Sequence, residues 1–395
     1  MNITFITQKL NLQGGGSNFS LELMTRSLIN RGNEVRILTL KPNMNNLPNK
    51  YQSNILEPPK QRFGTRLGGV ERAYRAMKYY QNSTDLYHVF TPSLLAAAGL
   101  FRSRQTKTPV IGRLNNYTNF CVNSNLMDGE CHRNCDIRSK FKHQDAGLPK
   151  RILKLPFYAS RTYAEPQLSP KLDRYFAVSP AVKKIYTDIG FPPERIVVIP
   201  NFYDPNFGLE HKTTKESTEQ LDVLYVGRIK RSKGIDVLLR ALSQVSNVSA
   251  KIIGTGEALS ELRSLSTELG LRERVVFTDR IKHEELPDHY MNADIFVHPG
   301  RWPEPLNRTL LESLQCGTPA IVSDIGGPPW AIGDAGMTFP SEDYVRLAEI
   351  LDELKRNRSK IRRMASKCEA QLSRFSPDKV VDEIQREYEK IINSQ

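Results

Sequence analysis

This 395-residue chain has no stretch long and apolar enough to cross a bilayer. Its longest uncharged apolar run, Ser93 to Phe101, stops at Arg102, far short of the ~20 residues a spanning helix needs. The N-terminus, MNITFITQKL, lacks a basic start followed by an apolar core, so it does not read as a signal peptide. Cysteine is scarce, at five residues, which fits a reducing compartment better than a disulfide framework. An Asp-x-Asp metal motif, a full dinucleotide fingerprint, a Walker loop, internal repeats and low-complexity tracts are all missing. Hydrophobic residues at 39% and charged residues at 25% exclude both a disordered chain and a membrane channel. The expectation is a soluble, cytoplasmic protein of two domains.

What is present is positive charge, placed unevenly. Through Asp204 there are 29 lysines and arginines against 14 aspartates and glutamates; beyond it, 27 against 29. The first half therefore carries +15 and the remainder −2, and an anionic partner for that half is one reading, a generally solvated basic surface the other.

The order of elements is more informative. An apolar run at Ile3 to Thr7 leads into Gly14-Gly15-Gly16, a helical pattern from Phe19 to Arg31, and a second β-like run at Val35 to Leu40. Strand patterns recur at Leu86 to Phe90, Val110 to Arg113, Tyr175 to Val178 and Ile196 to Ile199. A polar stretch at 205–220 reads as a linker, after which alternation restarts with strands at 223–227, 250–253, 275–278, 295–298 and 320–323. Helices are predicted between them at 233–245, 257–269, 284–292 and 305–316. Such alternation predicts an α/β chain of two doubly wound domains facing a cleft, over 1–204 and 221–375, with a last helix within 376–395.

Three places could carry chemistry. Arg228 and Lys233 sit where the strand ending at Gly227 gives way to a helix, the usual ligand crevice of a parallel sheet. Gly254 and Gly256 follow the next strand, where glycine would let backbone approach a ligand. The third is Glu304-Pro-Leu-Asn-Arg-Thr-Leu-Leu-Glu312. Read as one helix, it puts two carboxylates about 12 Å apart on nearly one face, suited to an elongated polyhydroxy ligand. The bland alternative is a dipole-favoured glutamate at a helix start plus a surface glutamate. His298, ending a strand, reads as a loop histidine within reach of a donor.

In order, Gly14–Gly16, VIPNF, VGRIKRSKG, GTGEALSEL and ADIFVHPGRWPEPLNRTLLESLQCGTPAIVSDIGG resemble the large family of retaining glycosyltransferases with the GT-B fold. The likeness is strongest from Leu221 to Phe339. It implies transfer of a hexose-type sugar from a nucleoside-diphosphate-sugar to a glycan or lipid-linked acceptor, without a metal or other cofactor. It further implies a diphosphate held by Arg228 and Lys233, a sugar beside Glu304, and ribose hydroxyls on Glu312. Gly15, Gly16, Gly254, Gly256, Arg280, Ile281, Leu306 and Asn307 would complete the donor site, and the last helix would cross back to the first domain.

The chain departs from the family pattern in several places. Asn115-Asn116 stands where many relatives have His-Asp, leaving Asn115 or Asn116 to contact sugar or acceptor. Pro305 and Asn307 stand at positions where glycine is common, and so does Asp279. Cys121, Cys131 and Cys135, with His132 and His143, have the donor types for zinc, but the irregular spacing favours reduced loop thiols. Basic and apolar residues interleave over Leu148 to Tyr158, including Lys150, Arg151 and Lys154. This suggests peripheral attachment to an anionic membrane surface, against the alternative of a solvated helix face. No nucleic acid partner is expected. Two rival readings are another sugar-nucleotide enzyme such as an epimerase, and a non-catalytic basic binding protein.

Overall fold

A computed structural model describes residues 1–10, 15–41, 54–56, 67–104, 106–122, 126, 135–144, 147–209 and 220–394. They form two compact units, Met1–Asn201 with Asp378–Gln395, and Phe202–Pro377.

The first unit is built on seven strands: β1 (Asn2–Thr7), β2 (Glu34–Thr39), β3 (Ile55–Leu56), β4 (Leu86–Val89), β5 (Val110–Leu114), β6 (Arg174–Ala177) and β7 (Ile196–Val198). They lie in the order β3-β2-β1-β4-β5-β6-β7, and the pairings are parallel. β1 pairs with β2 from Asn2 opposite Glu34 to Thr7 opposite Thr39. Helices cover both faces, so strand residues of either parity are buried: Ile3, Thr4 and Phe5 in β1 and all of β4 and β5. The terminal helix Pro377–Asn393 belongs to this unit from Asp378 onward. It buries Val380, Val381, Ile384, Tyr388 and Ile391, and the Tyr388 hydroxyl lies 2.6 Å from Nδ1 of the buried His88.

The second unit carries β8 (Leu221–Val226), β9 (Val248–Ile253), β10 (Val275–Thr278), β11 (Ile295–His298), β12 (Ala320–Ser323) and β13 (Gly336–Phe339). Their order is β10-β9-β8-β11-β12-β13, again parallel. Helix Ile235–Ser243 shows why the segment folds this way. Ile235, Leu238, Leu239 and Leu242 recur at helical spacing and all four are buried against the sheet.

Two parts of the sequence reading change. β3 and β13 were not expected from the pattern; they are edge strands, the first only two residues long. The stretch before 210 is not linker. Phe207 is buried, its ring 4.7 Å from that of His283 and 6.0 Å from that of Tyr290, which anchors 202–209 to the second unit. The rest of the expected linker, 210–219, lies outside the described residues.

Candidate active site

Because every strand of the second sheet runs the same way, the loops after β8, β9, β11 and β12 emerge at one edge. The strand order reverses between β8 and β11, which is where such sheets open a crevice. The loop after β8 supplies Arg228 and Lys233, and the loop after β11 supplies Glu304. Lys233 Nζ donates to both carboxylate oxygens of Glu304, at 2.8 and 2.7 Å. Arg301 holds the two loops together, donating to both oxygens of Asp236 at 2.6 and 2.5 Å. Nothing in the sequence pattern marked Arg301 or Asp236.

Glu304 is largely enclosed, with 13% of its side chain exposed. Burial alone would raise its carboxyl. The Lys233 ammonium, followed by His298, more than offsets this and lowers it from an ordinary 4.5 to about 2. The carboxylate is therefore ionised throughout the neutral range. From behind, the glycine pair Gly326-Gly327 supports it: the Gly327 N–H donates to the Glu304 carbonyl at 2.7 Å. A Cβ on Gly326 would come within 2.6 Å of the Glu304 backbone.

The single helix expected over 305–316 is shorter. It runs Arg308–Gln315, with Asn307 as its N-cap accepting from the Thr309 N–H. Pro305 disfavours a helical conformation for Glu304, so Glu304 lies in the loop and does not share a helix face with Glu312. Leu306 is buried beneath this loop.

Glu312 is buried and already engaged. His283 Nε2 lies 2.9 Å and Arg308 Nε 3.1 Å from its Oε1, and the Tyr290 hydroxyl donates to Oε2 at 3.1 Å. The sequence reading missed His283 and Tyr290, since neither sits in a recognisable motif. Ile281 packs beside this cluster, while Arg280 and Arg228 are exposed.

The glycines after β9 also serve the packing of the protein itself. A Cβ on Gly254 would lie 1.9 Å from the Gly227 carbonyl oxygen, and one on Gly256 2.1 Å from that of Ile229. Their bareness lets two loops of the protein touch each other, as the Ile229 N–H bond to the Thr255 carbonyl at 2.9 Å shows. Lys233, the other expected diphosphate ligand, is paired with Glu304.

In the first unit, Gly15 and Gly16 form the first turn of helix Gly15–Asn30, and Gly14 lies outside the described residues. Asn115 reaches that turn, donating to Ser17 Oγ at 3.3 Å and to the Phe90 carbonyl at 3.1 Å. Asn116 donates to Asn115 and caps Thr118. At the β1/β4 reversal, Gln8, Ser93, Thr118, Phe157, Arg161 and Glu165 help line a cavity of about 220 Å³. Cys121 is buried and Cys135 partly so, with burial raising the Cys135 thiol. Cys131 and His132 lie outside the described residues, and among those described no three His, Cys, Asp or Glu side chains assemble as a metal set.

Two parallel-sheet Rossmann-like units, one with ionised side chains gathered at its strand ends, match the fold class of GT-B proteins. Residues 207–371 match the family described as Glycosyl transferases group 1, and residues 14–207 match Glycosyltransferase Family 4. The chain belongs to this glycosyltransferase family. It is 36% identical over 144 residues to a GDP-mannose-dependent α-(1-6)-phosphatidylinositol monomannoside mannosyltransferase of Mycolicibacterium smegmatis, covering 33% of this chain and 38% of that one. A D-inositol 3-phosphate glycosyltransferase of the same organism is 32% identical over 164 residues, covering 40% of this chain and 38% of that one. The chain thus aligns with well under half the length of these curated relatives. Among solved structures, Anabaena HepE in complex with UDP superposes with a TM-score of 0.72 at 18% identity, over 99% of this chain and 100% of that one. Sucrose-phosphate synthase from Thermosynechococcus elongatus gives 0.72 at 18% identity over 100% of both. Among the described residues no helix is long and apolar enough to cross a membrane.

Proposed function

We propose that this protein transfers a hexose-type sugar, with retention of configuration, from a nucleoside-diphosphate-sugar to a glycan or lipid-linked acceptor. The observation that carries this reading is the Lys233–Glu304 pair at the strand-order reversal, with the exposed Arg228 guanidinium on the same loop as Lys233. A departing diphosphate accumulates negative charge. Arg228, and the Nζ hydrogen that Lys233 does not spend on Glu304, are preorganised donors for it, the role a metal plays elsewhere. Glu312, its position fixed by three partners, keeps lone-pair capacity for a ribose hydroxyl. Glu304, ionised and part-buried, accepts from a hydroxyl of the transferred sugar. GDP-mannose in a relative's name, and UDP-glucose bound to HepE from Anabaena, make both nucleotides candidates. The acceptor fits the cavity at Gln8 and Ser93, whose hydroxyl, amide and charged lining is of the kind that binds polyols.

The test is incubation with UDP- and GDP-sugars, with and without oligosaccharide or lipid-linked acceptors, measuring free nucleoside diphosphate and the anomeric configuration of the product. Acceptor-dependent release with a retained anomer is expected. Acceptor-independent conversion of the sugar would favour the epimerase reading, and no turnover of any donor would sink the proposal.

We also place the protein at an anionic membrane surface through helix Leu148–Leu153, which buries none of its residues. Leu148, Ile152 and Leu153 are 62%, 53% and 83% exposed, beside Lys150 and Arg151. Tyr158, expected on the same surface, is instead fully buried. Each cation near an anionic surface contributes about 1 kcal/mol, fading within a Debye length. Sedimentation with acidic liposomes should therefore capture the protein at low salt and release it as salt rises. The triple change K150Q/R151Q/K154Q should weaken capture without altering nucleotide affinity. Equal binding to neutral liposomes, or none to either, contradicts this placement.

A further inference from the structure

His298 closes β11 and is 2% exposed. Its Nδ1 lies 2.9 Å from Nδ2 of Asn307, itself buried. The far end of the amide settles which of its atoms faces the ring. Asn307 Oδ1 takes the Thr309 N–H at 3.0 Å and the Thr309 hydroxyl at 2.7 Å. A backbone N–H can only donate, so the oxygen must sit there and the NH₂ must face the imidazole. Nδ1 is thereby an acceptor, and the ring hydrogen sits on Nε2. That nitrogen is 2.8 Å from Glu304 Oε2, yet is not aligned with it, and no described residue accepts its hydrogen in good geometry. Nε2 itself is buried, and a Cβ on Gly300 would crowd it at 3.0 Å.

We propose that Asn307 is a positioning residue that locks His298 in the Nε2–H tautomer, so that the ring's one hydrogen faces the Glu304 carboxylate and steadies it beside the transferred sugar. The sugar beside Glu304 rests on the glycosyl-transfer reading; the tautomer does not. The groups around the ring are consistent with this. Glu304 on the following loop is balanced by Lys233 from the loop after β8. Arg301 is spent on Asp236, and Arg308 at the helix start on Glu312. Tyr225 on β8 donates its hydroxyl to the Arg228 carbonyl, and its neighbour Glu304 raises the phenol further after burial. The facing β12 residues, Val322 and Ser323, are uncharged. A second proton on the ring would have to displace the Asn307 bond.

The experiment reads the ring directly. Long-range ¹H–¹⁵N spectra of the full chain, with its seven histidines labelled, are assigned for His298 by the signal lost in H298Q. The parent should show an unprotonated Nδ1 and a protonated Nε2 at neutral pH. N307D keeps an oxygen to cap Thr309 but offers a second oxygen to Nδ1, so it should convert the ring to imidazolium. Its thermal midpoint should stay near the parent's, while kcat/KM falls up to roughly 100-fold, the cost of a misplaced reacting geometry. An Nδ1–H tautomer or an imidazolium in the parent at neutral pH, or a His298 spectrum unchanged in N307D, overturns the proposal. Failure of every donor to turn over would count against the glycosyltransferase reading alone, because the spectra decide the tautomer without it.

Discussion

Glutamine in place of Glu304 is expected to lower turnover about 100-fold or more, the scale of losing one preorganised electrostatic partner. It should leave nucleoside diphosphate binding at least as tight as in the parent. The second half of that expectation follows from Lys233, which spends two hydrogens on the Glu304 carboxylate. With a neutral amide at 304, more of the ammonium's field is available to the diphosphate. Single-turnover rates and calorimetric titration with the free diphosphate separate the two effects. A variant that binds the diphosphate more weakly would remove Glu304 from the sugar side of the site.

The same substitution has a signature in acid. The Glu304 carboxyl is lowered from 4.5 to about 2 in the fold. A lowered carboxyl stabilises the folded state above its unfolded value, and that contribution is lost as pH falls from 4.5 toward 2. Its size is on the order of 3 kcal/mol. Urea unfolding should therefore show the parent ahead of E304Q at pH 7, with the gap closing over that acid window. A gap that is independent of pH would mean the pair contributes nothing through ionisation.

Alanine at Gly254 is expected to have the largest effect on stability. The backbone there has φ +144°, and the added carbon would lie 1.9 Å from the Gly227 carbonyl oxygen, a backbone atom with no flexible end to yield. A loss of roughly 4 kcal/mol or more is expected, in the range reserved for overpacking combined with a forbidden backbone. Gly69, inside helix Leu67–Tyr80 with nothing within 4 Å, provides the contrast. Alanine there should be neutral or slightly stabilising, because helix-interior glycine costs about 1 kcal/mol. Denaturation midpoints of the two variants, measured side by side, check the claim. If G254A unfolds like G69A, the loops after β8 and β9 do not need that close approach.

What could be read from the residues and what could not divide along physical lines. The buried strands β1, β8 and β11 announce themselves as apolar runs, because a parallel sheet covered on both faces buries residues of either parity. β13 escaped because its four residues, GMTF, bury only the last of them fully. Arg228, Lys233, Glu304 and Glu312 were found through their order along the chain, but their partners were not. Lys233 and Glu304 are 71 residues apart, and His283 and Glu312 29 apart. Such pairings exist only after the sheet has set the strand ends side by side. The helix was expected to begin at 305 because its apolar spacing extends that far. Pro305 and the Asn307 cap decide otherwise, and a cap outweighs periodicity at a helix end.

The terminal helix has a consequence for how the molecule comes into being. Its residues from Asp378 onward complete the unit that begins at Met1, while the whole of Phe202–Pro377 intervenes. A ribosome adds about 5–20 residues each second, so the first unit waits many seconds for its last wall while the second can already close. During that interval Phe176, which Tyr388 later stacks upon at 6.0 Å, has no cover from the helix. Synthesis from the N-terminus thus finishes the molecule in the reverse of its reading order, and a chain cut short by even this one helix leaves its oldest part unfinished.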